Sequence, residues 1–135
     1  MRRAQRIRFD FYIAEMAKAA ERILDYAGDI SYNEFSSNSL IRDAVIRNFE
    51  ILGESVKHIP YSFQKQYKQV PWSRMYGLRN FIVHEYFDVD DEILYAIIQT
   101  DLPRNRTDLQ MIASRLAANP ELAQPRPRGS RPKGA

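Results

Sequence analysis

The sequence predicts an all-α protein, an antiparallel bundle of four to five helices. Three observations point there. Apolar residues recur three and four apart over long stretches, the spacing that lines one face of an α-helix. No stretch keeps a period-two alternation for long, and hairpin dipeptides such as Asn-Gly are absent. Residues that start or stop helices stand at the ends of the periodic stretches.

The first helix is expected over about Ile7 to Ala27, with Ile13, Ala17, Ala20, Leu24 and Ala27 on one face and Arg22 and Asp25 off it. Gly28 supplies the stop, because glycine accepts the left-handed conformation at a helix end. Ser31-Tyr32-Asn33-Glu34 matches a capping box and predicts a short helical turn. A second long helix starts after Asn38 or Ser39 and runs to about Ile59, where Pro60 ends it. Its stripe is Ile41, Val45, Asn48 or Phe49, Leu52, Val56 and Ile59.

Tyr61 to Tyr67 has room only for a short helix, and Val70-Pro71-Trp72 marks a fresh start, with Pro71 suited to the first turn. The fourth segment runs from Trp72 to about His84 and carries Met75, Leu78, Ile82 and Val83. Asp88 and Asp90 offer caps for a last helix striped by Ile93, Leu94, Ile97, Ile98 and Leu102. Pro103 kinks or restarts it, and the pattern resumes at Leu109, Ile112 and Leu116. Residues 1–116 thus form one helical domain. From residue 117 to 135, four of the seven prolines and a set of arginines read as a disordered basic tail, solubilising or weakly attracted to phosphate.

Composition narrows the chemistry. A chain of 135 residues, 44% apolar and 12% aromatic, is one domain with a real core. It has no cysteine, which removes disulfides, thiolate metal sites and cysteine catalysis together. No apolar run approaches a membrane span and the start leads into no signal-peptide core, so the expected compartment is the cytoplasm. The net charge of +3 is unevenly placed. Arg2, Arg3, Arg6 and Arg8 contribute +4 and the segment from Ala117 contributes +3, leaving residues 9–116 at −4. That is not a basic face for duplex DNA, and any nucleic-acid chemistry must rest on a local site. His58 and His84 stand too far apart, without Glu-x-x-His or His-x-x-x-His partners, to suggest a metal site. Gly53 and Gly77 are isolated and make no phosphate loop.

The densest polar chemistry is Arg79-Asn80-Phe81-Ile82-Val83-His84-Glu85-Tyr86 at the end of the fourth segment. An ordinary structural account exists for each residue: His84 suits a helix C-terminus, Arg79 a surface ion pair, Tyr86 a plug in the core. Helical geometry adds a constraint. Asn80 and His84 share a face, whereas Arg79 and His84 point roughly 140° apart in a continuous helix. They converge only if the helix ends between them or a second copy of the chain supplies one of them, as a twofold dimer does. Asn48 falls within an apolar stripe, where burial without a partner costs on the order of 1–3 kcal/mol. Glu54 reads as a solvated charge and His58 as an ordinary helix-end histidine.

Arg79-x-x-x-x-His84-x-Tyr86 resembles the motif of the HepT-like toxins in the HEPN superfamily. The flanking blocks agree in order: Asp43 through Gly53-Glu54, Val70-Pro71-Trp72, Gly77-Leu78-Arg79-Asn80 and Asp101-Leu102-Pro103. The resemblance spans about residues 7–112 and leaves both basic ends outside it. It implies a homodimeric, metal-independent RNA endonuclease without a cofactor. It also implies a cognate minimal nucleotidyltransferase antitoxin that silences the nuclease by transferring AMP from ATP onto the motif tyrosine. Carried over, Arg79 and His84 are catalytic, Tyr86 is the AMP acceptor, and Asn80 and Asn48 are supporting residues.

The residue types suit that chemistry. RNA cleaved by its own 2′-hydroxyl needs a proton carrier, and histidine is the residue type whose unperturbed pKa lies near neutrality. Arginine offers forked donors to phosphoryl oxygens. A dimer that pairs the motifs brings two histidines into one cleft, one as acid and one as base. Two other readings compete. One is a non-catalytic subunit that presents a substrate or nucleotide to a nucleotidyltransferase. The other is a dimerisation module indifferent to substitution of Arg79 and His84.

Overall fold

A computed structural model describes residues 8–123, and every described element is helical. Seven α-helices form, α1 (Phe9–Ala27), α2 (Tyr32–Ser37), α3 (Ser39–Val56), α4 (Tyr61–Gln64), α5 (Trp72–His84), α6 (Asp91–Thr100) and α7 (Leu102–Ala118). Two 3-10 turns, Tyr86–Asp88 and Pro120–Ala123, complete them. The all-α expectation holds, while the number of helices exceeds four to five. The excess comes from the short α2 and α4 and from a full break at Asp101, where Pro103 enters the first turn of a new helix.

Local chemistry sets the boundaries. Ser31 accepts from the Glu34 backbone at 3.1 Å while Glu34 Oε1 accepts from the Ser31 backbone at 2.9 Å, the reciprocal capping box. Asn38 caps α3 by accepting from Ile41 N at 3.1 Å, and Asp90 caps α6 by accepting from Glu92 N at 2.8 Å. Gly28 departs from expectation. Its backbone stays right-handed, φ −66° and ψ −31°, and donates to Leu24 O at 2.8 Å, so close approach rather than a left-handed turn suits glycine there. Trp72 Nε1 donates to Tyr67 O at 2.9 Å and Gln64 O at 3.1 Å, which ties the loop before α5 to its first residue.

Helix α1 is the centre of the packing. It lies against α3 and α7, and α3 in turn lies against α5. Its inward residues include Ile13, Met16, Ala20 and Ile23, all inaccessible to solvent. Burying one such large aliphatic side chain contributes about 1.5–3 kcal/mol. Helices α3 and α5 run antiparallel, since Gly53 meets Met75 and Arg79 while Asp43 meets Tyr86. The fold also continues past the boundary expected at residue 116. Helix α7 reaches Ala118, and Ala123 is fully buried in the following 3-10 turn. The rest of the expected tail, residues 124–135, lies outside the described residues, as do Arg2, Arg3 and Arg6.

Candidate functional site

The motif occupies the last two turns of α5 and the 3-10 turn beyond it. Helix α5 is continuous from Trp72 to His84, so Arg79 and His84 stay on one helix and diverge by roughly 140°. Arg79 turns inward, onto α3. Its Nη2 lies 2.9 Å from Glu54 Oε1, and its Nη1 donates to Asn80 Oδ1 at 2.8 Å. Glu54 is therefore the ion-pair partner of Arg79, and also of Lys57 at 3.4 Å, rather than a solvated charge. Gly53 makes this seat possible. A Cβ there would stand 2.2 Å from Arg79 Cβ and 2.6 Å from Met75 O, so no other residue lets α5 approach so closely.

His84 ends the helix on its outer side and is exposed, with no hydrogen-bond partner among the described residues. Asn80 shares that side, 40° away by helical geometry. Gly77 completes the outer face, and a Cβ added to it would meet nothing within 4 Å. Phe81 and Val83 are exposed on the same turns, at 43% and 47%. The structure thus groups Arg79 with Asn80 and Glu54 and leaves His84 apart from Arg79.

After His84 the chain leaves the helix at Glu85 (φ −132°, ψ 45°) and enters the turn that carries Tyr86. Tyr86 is 41% exposed, which removes the reading of it as a core plug. Its hydroxyl donates to Asp43 Oδ1 at 3.4 Å. Arg42 fastens the end of this turn by donating to Asp91 and to Val89 O, and the Asp91 hydrogen bond raises its pKa further above the ordinary range. Phe87 projects beside Tyr86, almost fully exposed.

Asn48 is buried on α3. Its Nδ2 donates to Ala44 O at 2.8 Å, while its Oδ1 is buried without a partner. His58 stacks on Tyr12 at 4.1 Å, a packing role outside the motif. A groove of about 360 Å³ opens beside Arg79, walled by Phe11, Tyr12, Arg47, Glu50 and Val83. Among the described residues no three carboxylate or histidine side chains gather as a metal site. Sequence reasoning read Gly53 and Gly77 only as isolated glycines and Glu54 as a solvated charge, and gave Asp43 no role of its own. For the glycines a signal existed, because glycine inside a helix costs about 1 kcal/mol against alanine and calls for a close approach.

Comparison with known proteins matches residues 16–112 to the family model described as Ribonuclease HepT-like. A candidate RNase of Methanocaldococcus jannaschii is 36% identical over 101 residues, covering 75% of this chain and 93% of that protein. A second candidate RNase of the same organism is 32% identical over 101 residues, covering 75% and 84%. The protein named probable ribonuclease HepT of Thermococcus cleftensis is 34% identical over 92 residues, covering 68% and 84%. No solved structure gives a significant match.

Proposed function

From the premise that the chain belongs to the HepT-like ribonuclease family and is a ribonuclease, we propose that it is the metal-independent, homodimeric endoribonuclease of a toxin–antitoxin pair, silenced by AMP transfer onto Tyr86. The observation that carries the reading is the division of labour along α5. Arg79 faces inward on Gly53 and Glu54, and His84 faces outward at the helix end. A single chain offers half a site on each side of this helix. A second copy packed on the exposed side of the helix sets His84 of one chain opposite Arg79 of the other once that guanidinium turns out past Val83, which walls the groove beside it. Gly77, open on that face, and the exposed Phe81 and Val83 support the pairing.

The reaction follows from the residue types. The substrate 2′-oxygen attacks the adjacent phosphorus and gives its proton to His84. The P–O5′ bond breaks, and the leaving 5′-oxygen takes a proton from solvent water, yielding a cyclic phosphate and a free 5′-hydroxyl. Arg79 holds the phosphoryl oxygens as negative charge builds on them. For that its guanidinium turns from Glu54 toward the cleft, and Asn80, bonded to its Nη1, keeps the head group oriented. Asn48 supports α3 behind the site. The minimal nucleotidyltransferase antitoxin would place AMP on the exposed Tyr86 hydroxyl, adding a charge and a purine at the cleft rim.

The test uses the purified chain with single-stranded RNA and the matching DNA, with and without EDTA. RNA cleavage that persists in EDTA, spares DNA and disappears in His84→Ala supports the reading. Magnesium dependence, or cleavage retained in His84→Ala, contradicts it. Co-expression with the partner enzyme should add AMP to the peptide holding Tyr86 in the native chain and not in Tyr86→Phe.

A further inference from the structure

The other end of α5 holds an arrangement that the nuclease reading does not use. The blocks Val70-Pro71-Trp72 and Asp101-Leu102-Pro103 come together there, with Pro71, Asp101 and Leu102 lining one apolar chamber of about 80 Å³. Phe49, Leu52, Met75, Leu78 and Ile97 form the rest of its apolar wall. The chamber shares Pro71, Arg74, Asp101 and Asn105 with an outer polar cleft of about 350 Å³, to which Gln69, Thr100 and Arg104 also belong. Arg74 stands ten residues before His84, about 15 Å along the helix. The two sites are separate.

Asn105 is the telling residue. It is only 6% exposed, it lines both the chamber and the cleft, and its side chain makes no hydrogen bond within the described residues. Its carboxamide is not sealed off like Asn48 Oδ1 but opens onto the neck, where a bound group can reach it. Asp101 is the second unusual group. It holds the N-cap position of α7, yet its carboxylate makes no capping bond and is free to face the cleft. Arg74 and Arg104 have no carboxylate partner among the described residues. The cleft therefore offers guanidinium donors, one carboxylate and one amide that both donates and accepts, with an apolar chamber behind them.

We propose that this cleft binds a free α-amino acid with a short aliphatic side chain. Arg74 and Arg104 take its carboxylate, Asp101 takes its ammonium, Asn105 bonds to either, and the side chain enters the chamber. Both charges are needed, because a simple anion would be repelled by Asp101 and a simple cation by the arginines. Chamber size sets the side chain: about 80 Å³ is half of the roughly 150 Å³ that holds benzene, so a branched aliphatic group fits and a ring does not.

Valine, titrated into the full chain under NMR, is the probe. Saturable shifts of the Asn105 side-chain amide and the Met75 methyl are expected. Isovalerate, which lacks the ammonium, and isobutylamine, which lacks the carboxylate, should each bind about tenfold more weakly. Phenylalanine should leave the Met75 methyl unmoved. Arg74→Gln and Asp101→Asn change exposed groups, should keep the fold and the RNA cleavage rate, and should each weaken valine binding about tenfold. Three results would each overturn the proposal: no saturable shift at millimolar valine, equal binding of valine and isovalerate, or valine binding untouched by both variants.

Discussion

Helices α1 and α5 are built from the same alphabet for opposite ends. Of nineteen residues in α1, eight are buried, and they fall on a face that the chain itself covers with α3 and α7. Of thirteen in α5, only Trp72, Met75 and Ile82 are buried, while Phe81, Val83 and His84 look outward. The buried stripe of α1 is accounted for by this one molecule, with Phe11 and Tyr26 outside it. Half of α5 is not, and two glycines show where the difference lies: Gly53 of α3 opens the seat for its inner face, and Gly77 leaves its outer face bare. On the proposed reading, that outer half of α5 is where the second chain packs.

Substitutions on the two helices should therefore fail in different ways. The largest effect is expected from His84→Ala, a loss of about 10²–10⁴ in RNA cleavage from removing a positioned acid–base group. Its urea midpoint should stay near the native value, because the side chain is exposed. Next is Ile23→Ala on α1, which empties a fully buried position and should cost about 2–5 kcal/mol in urea unfolding. Its activity should fall only as its folded fraction falls. If Ile23→Ala instead abolished cleavage while folded, the division between scaffold and site helix would collapse.

Gly53→Ala joins the two behaviours. The added methyl collides with Arg79 Cβ and the Met75 carbonyl, which should cost about 1–3 kcal/mol and also displace Arg79. Urea unfolding with parallel kinetics on the folded protein separates the two losses. The smallest effect sharpens the comparison most. Gly77→Ala fills open space on a helix interior and should stabilise the isolated chain by up to roughly 1 kcal/mol. The same methyl should weaken self-association, as read by light scattering across a dilution series. A tighter dimer would place the contact elsewhere.

Much of this was legible from residue order alone. The long helices carry local punctuation, such as Asn38 before α3, the Ser31/Glu34 box and Asp90 before α6, and each acts within four residues of itself. Motif spacing likewise exposed the divergence of Arg79 and His84, because helical angle is a local property. What stayed hidden was set by contacts distant in sequence. Glu54 becomes the partner of Arg79 only because α3 and α5 run antiparallel, and Asp43 reaches Tyr86 for the same reason. Ala123 is buried by a turn folding back after α7, which a proline-rich composition conceals. Gly28 shows the converse, a familiar stop signal used in a right-handed conformation.

We propose that two chains complete one site, Arg79 from one and His84 from the other. Mixing two inactive proteins tests it most directly. Arg79→Ala and His84→Ala are purified separately, unfolded and refolded together so that subunits exchange, and assayed on RNA. In the mixed dimer one site retains an intact Arg79 facing an intact His84, so cleavage should rise well above that of either variant refolded alone. A site confined to one chain is broken in every molecule of the mixture. Cleavage no higher than the two variants assayed separately, with mixed dimers present by native mass spectrometry, would contradict the account.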